Sequence, residues 1–404
     1  LLEGTGDREI STTMAFVRIL NGLLKDKKIG GHIVPIVPDE ARTFGMEGMF
    51  RQYGIYSAVG QLYEPVDSAQ VMYYREDIKG QILEEGINEA GGYSSWIAGA
   101  TAWRNHSIHM IPFFVYYSMF GFQRIGDLAW ASGDMRSRGF LIGGTAGRTT
   151  LAGEGLQHQD GHSHLFSSTI PNCISYDPTF AYELAVIIQN GMHRMYNQNE
   201  DLFYYITVMN ENYPHPAMPE NVEEGIIKGM YLLKKPNKTK AQIQLLGSGA
   251  ILREVIAAAD LLEEDFSISA NIWSVTSFNE LRREGLSTKR LNLLNPDKKQ
   301  KLSYVESAFK DNDIPVVAAT DYMKIFADQI REFIPNKYIV LGTDGFGRSD
   351  TRSQLRKFFE VNRYYIVVAS LKALAEEGKL STDKISEAIK KYNIDQNKPE
   401  PTSI

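Results

Sequence analysis

Between Gly143 and His164 the chain reads GGTAGRTTLAGEGLQHQDGHSH, a glycine-rich stretch that carries Glu154, Asp160 and three of the chain's eight histidines, His158, His162 and His164. A long aperiodic stretch inside a compact domain is usually a functional loop. Imidazoles and carboxylates gathered there suit proton transfer, because histidine changes charge near neutral pH. Metal binding is the weaker functional reading, since the H-x-x-x-H-x-H order lacks the H-E-x-x-H helical pattern and no cysteine accompanies it. A hydrogen-bonded structural loop is the plain alternative.

A second chemical candidate is Gly80–Gly91, GQILEEGINEAG, which the pattern places on a helix. Glu84 and Glu85 read as solvated surface charges. Glu89 sits between apolar neighbours just before Gly91 and Gly92, where a carboxylate against a close-packed neighbour becomes a plausible acid or base. Periodicity alone favours a structural role for it. The aromatic run FFVYYSMFGFQR from Phe113 to Arg124 reads as core by default, although rings at a strand end also stack on planar ligands. Leu246–Leu252, LGSGAIL, begins like a dinucleotide fingerprint, but Leu252 stands where the third glycine belongs, so a tight strand-to-helix turn explains both glycines. There is no P-loop and no G-x-S-x-G elbow.

The elements that position these groups alternate helix and short buried strand. Ser11 is expected to cap a helix carrying Phe16, Val17, Leu20, Leu23 and Leu24, followed by strands at 33–37, 110–117, 140–143 and 202–209. Asp77 to Trp103 reads as one helix, or two broken at Gly91–Gly92. Past Tyr213-Pro214-His215-Pro216 the pattern breaks into the charged stretch Glu220 to Lys240, and a second alternating region follows. The expected architecture is therefore α/β, with two doubly wound, mostly parallel-sheet domains over residues 1–219 and 220–404. In such sheets ligands collect at the C-terminal strand ends, which singles out Asp39-Glu40, the segment after Tyr117, and the loop after Gly143.

The 404 residues suffice for two or three domains, and 43 Lys plus Arg against 49 Asp plus Glu give a net charge of −6. That spread-out mild acidity argues against nucleic-acid binding. No apolar run approaches the ~18 residues of a membrane span. The single cysteine, Cys173, excludes an internal disulfide framework and points to a cytoplasmic location. The chain begins at Leu1, without a signal-peptide pattern, and is expected to begin partway through a longer polypeptide; the resemblance set out below implies the C-terminal half of a longer subunit or the partner of a separate chain.

Seven segments occur in order: DEARTFGMEG (from Asp39), GQILEEGINE (from Gly80), YYSMFGFQRIGDL (from Tyr116), GEGLQHQDGHSH (from Gly153), IPNCISYDP (from Ile170), MNENYPHPAMPE (from Met209) and GTDGFGRSD (from Gly342). Over nearly the whole chain this resembles the thiamine-diphosphate-dependent first component of the bacterial pyruvate dehydrogenase complex, in its homodimeric form. The resemblance implies transketolase-type domains, one pyrimidine-binding and one C-terminal. It further implies oxidative decarboxylation of pyruvate and reductive acetylation of lipoyl groups on the dihydrolipoamide acetyltransferase core, feeding acetyl-CoA synthesis. Thiamine diphosphate and Mg2+ are the implied cofactors. The family's GDG motif for diphosphate and metal is missing, because Gly126-Asp127-Leu128 and Gly133-Asp134-Met135 lack the final glycine, so no metal ligand is expected within this chain.

By resemblance, Glu89 is the carboxyl that hydrogen-bonds a ring nitrogen of the aminopyrimidine and favours its imino tautomer. Phe120 is the ring that stacks on the aminopyrimidine, with Tyr117 beside it. His158 is an active-site histidine that orients substrate and shuttles a proton. Asp39, Glu40 and Glu154 align with carboxylates near the active centre, and Arg124 is a weaker candidate for an ionic contact. GTDGFGRSD supports membership, and the second domain is expected to serve mainly dimerisation and stability. The implied homodimer places the site between subunits. The rival readings are a 2-oxoglutarate dehydrogenase or transketolase, a catalytically incomplete assembly subunit, and, third, a metallohydrolase.

Overall fold

A computed structural model describes residues 1–38, 41–66, 74–236, 240–310 and 313–404. The first domain is built on a six-stranded sheet whose strands are β1 (Ile33–Val37), β2 (Leu83–Glu84), β3 (Ile111–Tyr117), β4 (Phe140–Gly144), β5 (Cys173–Tyr176) and β6 (Phe203–Thr207). They lie in the order β2-β1-β3-β4-β6-β5 and every pairing is parallel. Parallel strands need long crossovers, and the chain supplies helices α1 (Thr12–Lys25), α2 (Glu89–Asn105), α3 (Gly121–Asp134) and α4 (Ala181–Met192) for the two faces.

Successive side chains of a strand point to opposite faces. Along β3, Phe113 and Val115 join Phe16 and Leu20 of α1 and Ile187 of α4 in one core. Phe114 and Tyr116 join Tyr93 and Trp96 of α2 and Phe122 of α3 in another. Burial on both sides explains why IPFFVYY reads as a continuous apolar run rather than an alternating one. Ser11 caps α1 as its sequence suggests, its hydroxyl accepting from the Met14 amide at 3.1 Å.

The helix expected over residues 77–103 begins only at Glu89. Upstream lie a turn and the short strand β2; Gly86 takes a positive φ of 72°, and Asn88 caps α2 by accepting from Gly91 N–H at 3.1 Å. Gly91 and Gly92 do not break the helix. A Cβ on Gly92 would come within 2.7 Å of the Phe114 ring, so glycine is what lets α2 lie tight on β3.

The second domain holds a five-stranded sheet of β7 (Met230–Lys234), β8 (Ile243–Gly247), β9 (Ala270–Val275), β10 (Val316–Ala319) and β11 (Tyr338–Leu341), in the order β7-β9-β8-β10-β11. Only β7 runs antiparallel, at an edge. Helices α5 (Leu252–Phe266), α6 (Phe278–Leu293), α7 (Arg352–Phe358) and α8 (Arg363–Glu376) accompany it. The charged stretch from Glu220 contains a short helix, Glu223–Lys228, and then β7, rather than a bare linker.

The two sheets meet through buried polar bonds. Glu183, fully buried, accepts from the Thr179 and Phe180 amides at 2.6 and 2.9 Å and from Tyr231 and Ser274 hydroxyls at 2.6 Å each. Asn279 donates to the His164 carbonyl at 2.8 Å and to Ser175 at 2.6 Å. Arg356 pairs with Glu211 across the same seam. Among the described residues no helix is long and apolar enough to cross a membrane.

Candidate active site

The C-terminal end of β3 carries Tyr117, a single 3-10 turn (Ser118–Phe120) carries Phe120, and α3 then begins at Gly121. Tyr117 and Phe120 meet edge to face with ring centroids 5.9 Å apart. The His158 ring closes a triangle with them, at 5.4 Å from Tyr117 and 5.1 Å from Phe120. Glu89, at the first position of α2, is 8% exposed. Its two carboxylate oxygens accept from Arg124 Nη1 at 2.9 and 2.8 Å. The same guanidinium lies over the Phe120 face, 4.2 Å from the centroid. Glu89, Arg124, Phe120, Tyr117 and His158 thus form one continuous wall, assembled from α2, α3, the end of β3 and the long loop.

A carboxylate at a helix start is favoured by the helix dipole, and the guanidinium supplies the counter-charge that a nearly buried carboxylate requires. Arg124 thereby acquires a specific ionic partner. Glu154 extends the wall: its Oε2 lies 3.6 Å from His158 Nδ1, just outside hydrogen-bond reach, and Nδ1 is buried with no hydrogen-bond partner among the described residues. Asp39 and Glu40 lie outside the described residues.

The three loop histidines separate instead of converging. His162 lies 3.5 Å from an Arg148 nitrogen through its Nδ1. His164 is buried, with Nε2 3.0 Å from the Thr207 hydroxyl and its ring stacked 4.9 Å from Phe326. Loss of hydration pushes the His164 pKa down to about 4. Among the described residues no three His, Cys, Asp or Glu side chains are grouped as a metal site.

Sequence reasoning missed the residues that hold this loop. Asp321, fully buried, accepts from Thr149 N–H at 2.9 Å and from the Thr149 and Thr150 hydroxyls at 2.6 Å each. Burial raises its pKa, opposed by the Arg356 charge and these donors. Arg148, 4% exposed, donates to the Thr343 carbonyl at 2.5 Å and also to that of Gly345. The Arg348 amide donates to Gln159 Oε1 at 2.7 Å and Gly153 N–H to the Asp350 carbonyl at 3.1 Å. The GTDGFGRSD segment of the second domain therefore packs on the His158 loop. These partners lie up to 197 residues apart in sequence, which no local pattern reports. The one available signal was Arg148 itself, a lone cation in a glycine-rich loop.

Asp177 was also missed. It is buried at the seam and accepts from the Thr207 hydroxyl at 2.7 Å and from Tyr322 at 3.3 Å through Oδ1. Desolvation, only partly offset by these donors, raises its pKa to about 7.

Two transketolase-type domains, with a carboxylate, aromatic rings and a histidine at the strand ends of the first, define the fold class. Solved transketolases share it: the enzyme from Campylobacter jejuni superposes with a TM-score of 0.64 at 17% identity over 90% of this chain and 47% of its own. A split-gene transketolase, solved as an inactive β4 tetramer, matches with a TM-score of 0.59 at 16% identity over 91% of this chain and 98% of its own. At those identities the likeness shows the fold alone.

Family models go further. Residues 2–216 match the pyruvate dehydrogenase E1 component middle domain, and residues 229–362 the transketolase-like TK C-terminal domain. The chain belongs to the pyruvate dehydrogenase E1 component family. It is 66% identical to the pyruvate dehydrogenase E1 component of Pseudomonas aeruginosa over 403 residues, 99% of this chain and 46% of that protein. It is 58% identical to the Escherichia coli K12 protein of the same name, over 98% of this chain and 44% of that protein. The chain therefore spans less than half the length of these curated relatives.

Proposed function

We propose that this chain supplies the pyrimidine-side half of the active centre of a pyruvate dehydrogenase (acetyl-transferring) component, which oxidatively decarboxylates pyruvate and reductively acetylates lipoyl groups of a dihydrolipoamide acetyltransferase. The observation that carries the reading is the continuous wall of Glu89, Arg124, Phe120, Tyr117 and His158 at the C-terminal strand ends, in a chain whose relatives carry that name.

The donor set fits the pyrimidine end of thiamine diphosphate: two aromatic faces for a planar ring, a nearly buried carboxylate for a ring nitrogen, and a buried imidazole nitrogen with no protein partner. The diphosphate and Mg2+ need hard oxygen ligands and backbone donors, and we assign those to a domain outside this chain. When bound, thiamine diphosphate supplies the nucleophilic carbon and the electron sink for decarboxylation. Glu89 presents a carboxylate oxygen that would share a proton with the ring nitrogen. Phe120 and Tyr117 fix the ring plane and exclude water. His158 orients the substrate and moves a proton through its imidazole, with Glu154 beside it. The domain division is placed between residues 219 and 220. We assign the working form as a homodimer with the site between subunits, in the cytoplasm.

The test is carbon dioxide release from pyruvate by the full natural polypeptide, with Mg2+ and thiamine diphosphate supplied or withheld. Release that requires both supports the reading. A folded dimer that releases none, from pyruvate or from 2-oxoglutarate, leaves the assembly-subunit reading standing instead.

A further inference from the structure

Among the described residues His158 Nδ1 finds no hydrogen-bond partner, yet the neighbouring Gln159 is completely buried and doubly bonded. Gln159 Nε2 donates to the Leu151 carbonyl at 2.7 Å, tying the loop to its own start. Gln159 Oε1 accepts from the Arg348 backbone amide at 2.7 Å, tying it to the second domain. Gly347 presses on the same amide group: a Cβ there would come 2.7 Å from Gln159 Oε1. The His158 and Gln159 amides both donate to the Gly155 carbonyl at 3.2 Å, so the two residues share one turn. Ser349 covers that turn at Gly155, where a Cβ would lie 2.3 Å from the serine Oγ.

We propose that Gln159 is a positioning residue for His158, and that the Gly347–Arg348 peptide of the second domain is the fixed point it works against. The inference rests on the reading of His158 as an active-site residue. A side-chain amide is suited to the task because it both donates and accepts, so one planar group spans two backbones. Carbonyl and amide partners without charge make the strap independent of pH. Among the described residues the imidazole is held by ring contacts with Tyr117 and Phe120, by Glu154 at 3.6 Å and by the backbone that Gln159 anchors. Misplacement by about 1 Å from a distant change costs up to roughly 100-fold in rate.

The experiment is a double-mutant cycle in the full-length enzyme, comparing native, Gln159→Met, His158→Ala and the double variant, with kcat and KM for pyruvate in the lipoyl-acceptor assay. Methionine keeps the volume and removes both hydrogen bonds. The expected result is a kcat loss of about tenfold or more for Gln159→Met, with KM for pyruvate changed less than about twofold. In the His158→Ala background the same substitution then changes kcat less than about twofold, because what it positions is gone. Equal losses in both backgrounds overturn the proposal and leave the role of His158 standing. A His158→Ala enzyme with native turnover overturns the proposal together with the reading beneath it. Should Gln159→Met fail to fold, Gly347→Ala displaces the same amide from the second domain and enters the cycle in its place. A Gly347→Ala enzyme that folds with native kcat overturns the proposal.

Discussion

Arg124 and Glu89 face each other from α3 and α2, with Nη1 2.9 and 2.8 Å from the two carboxylate oxygens while the guanidinium lies on the Phe120 ring. One cation thus joins the acid and the aromatic face that the proposed chemistry needs. The arginine is half exposed and the glutamate is not, so the energetic weight of the pair falls on the carboxylate.

Removing the cation leaves that carboxylate short of its donor. Arg124→Leu is expected to lower stability by about 1 kcal/mol, a value kept small by solvent screening of the exposed guanidinium. In a Glu89→Gln background most of that loss disappears, since a neutral amide needs no counter-charge. Urea denaturation of the full-length protein measures both steps, and equal losses in the two backgrounds would show the residues to be uncoupled.

Glu89→Ala is expected to leave the fold intact, because the side chain stands at the first position of α2 and the Asn88 cap remains. Turnover with pyruvate falls at least ~100-fold, the scale of a lost acid/base group. Near-native turnover in a folded variant removes Glu89 from the chemistry.

His158→Ala separates the two halves of the proposed reaction. The loss with a lipoyl acceptor is expected to exceed the loss with an artificial electron acceptor. Equal losses with both deny the histidine an acceptor-side role.

The seam between domains carries its own pH signature. Asp177, with a pKa raised to about 7, binds a proton in the folded state that the unfolded chain has released above its ordinary value of 3.8. The folded state holds more protons in that window, so this group's stabilisation is full below pH ~4 and is lost as pH rises toward 7. His164 acts oppositely: with its pKa lowered to about 4, it destabilises the fold as pH falls from 6.5 toward that value. Asp177→Asn mimics the protonated acid and abolishes the first slope. The difference in Tm between variant and native protein is expected to grow from pH 4 to pH 8 in favour of the variant. A difference flat across that range refutes the assignment.

Much of the architecture was legible because its causes are local or nearly so. Buried strands such as IPFFVYY announce burial on both faces, and Ser11 caps a helix by bonding an amide three residues away. The helix drawn through Gly80–Asn88 was an error of the same origin. Its glutamates and apolar residues fit helical spacing, but Gly86 and the Asn88 cap end one path and begin another.

The sequence by itself determined the α/β alternation of most strands and helices, the segments that mark the family, and the candidate residues of the site: Glu89, Tyr117, Phe120 and His158. Only the tertiary structure decided which of them touch, that Arg124 serves Glu89, and that a loop from the second domain grips the turn beneath His158. The physical reason is range. Capping and strand burial act within a few residues and leave a periodic trace, whereas Gln159 bonds a backbone amide 189 positions away, and a backbone donor has no letter in the sequence.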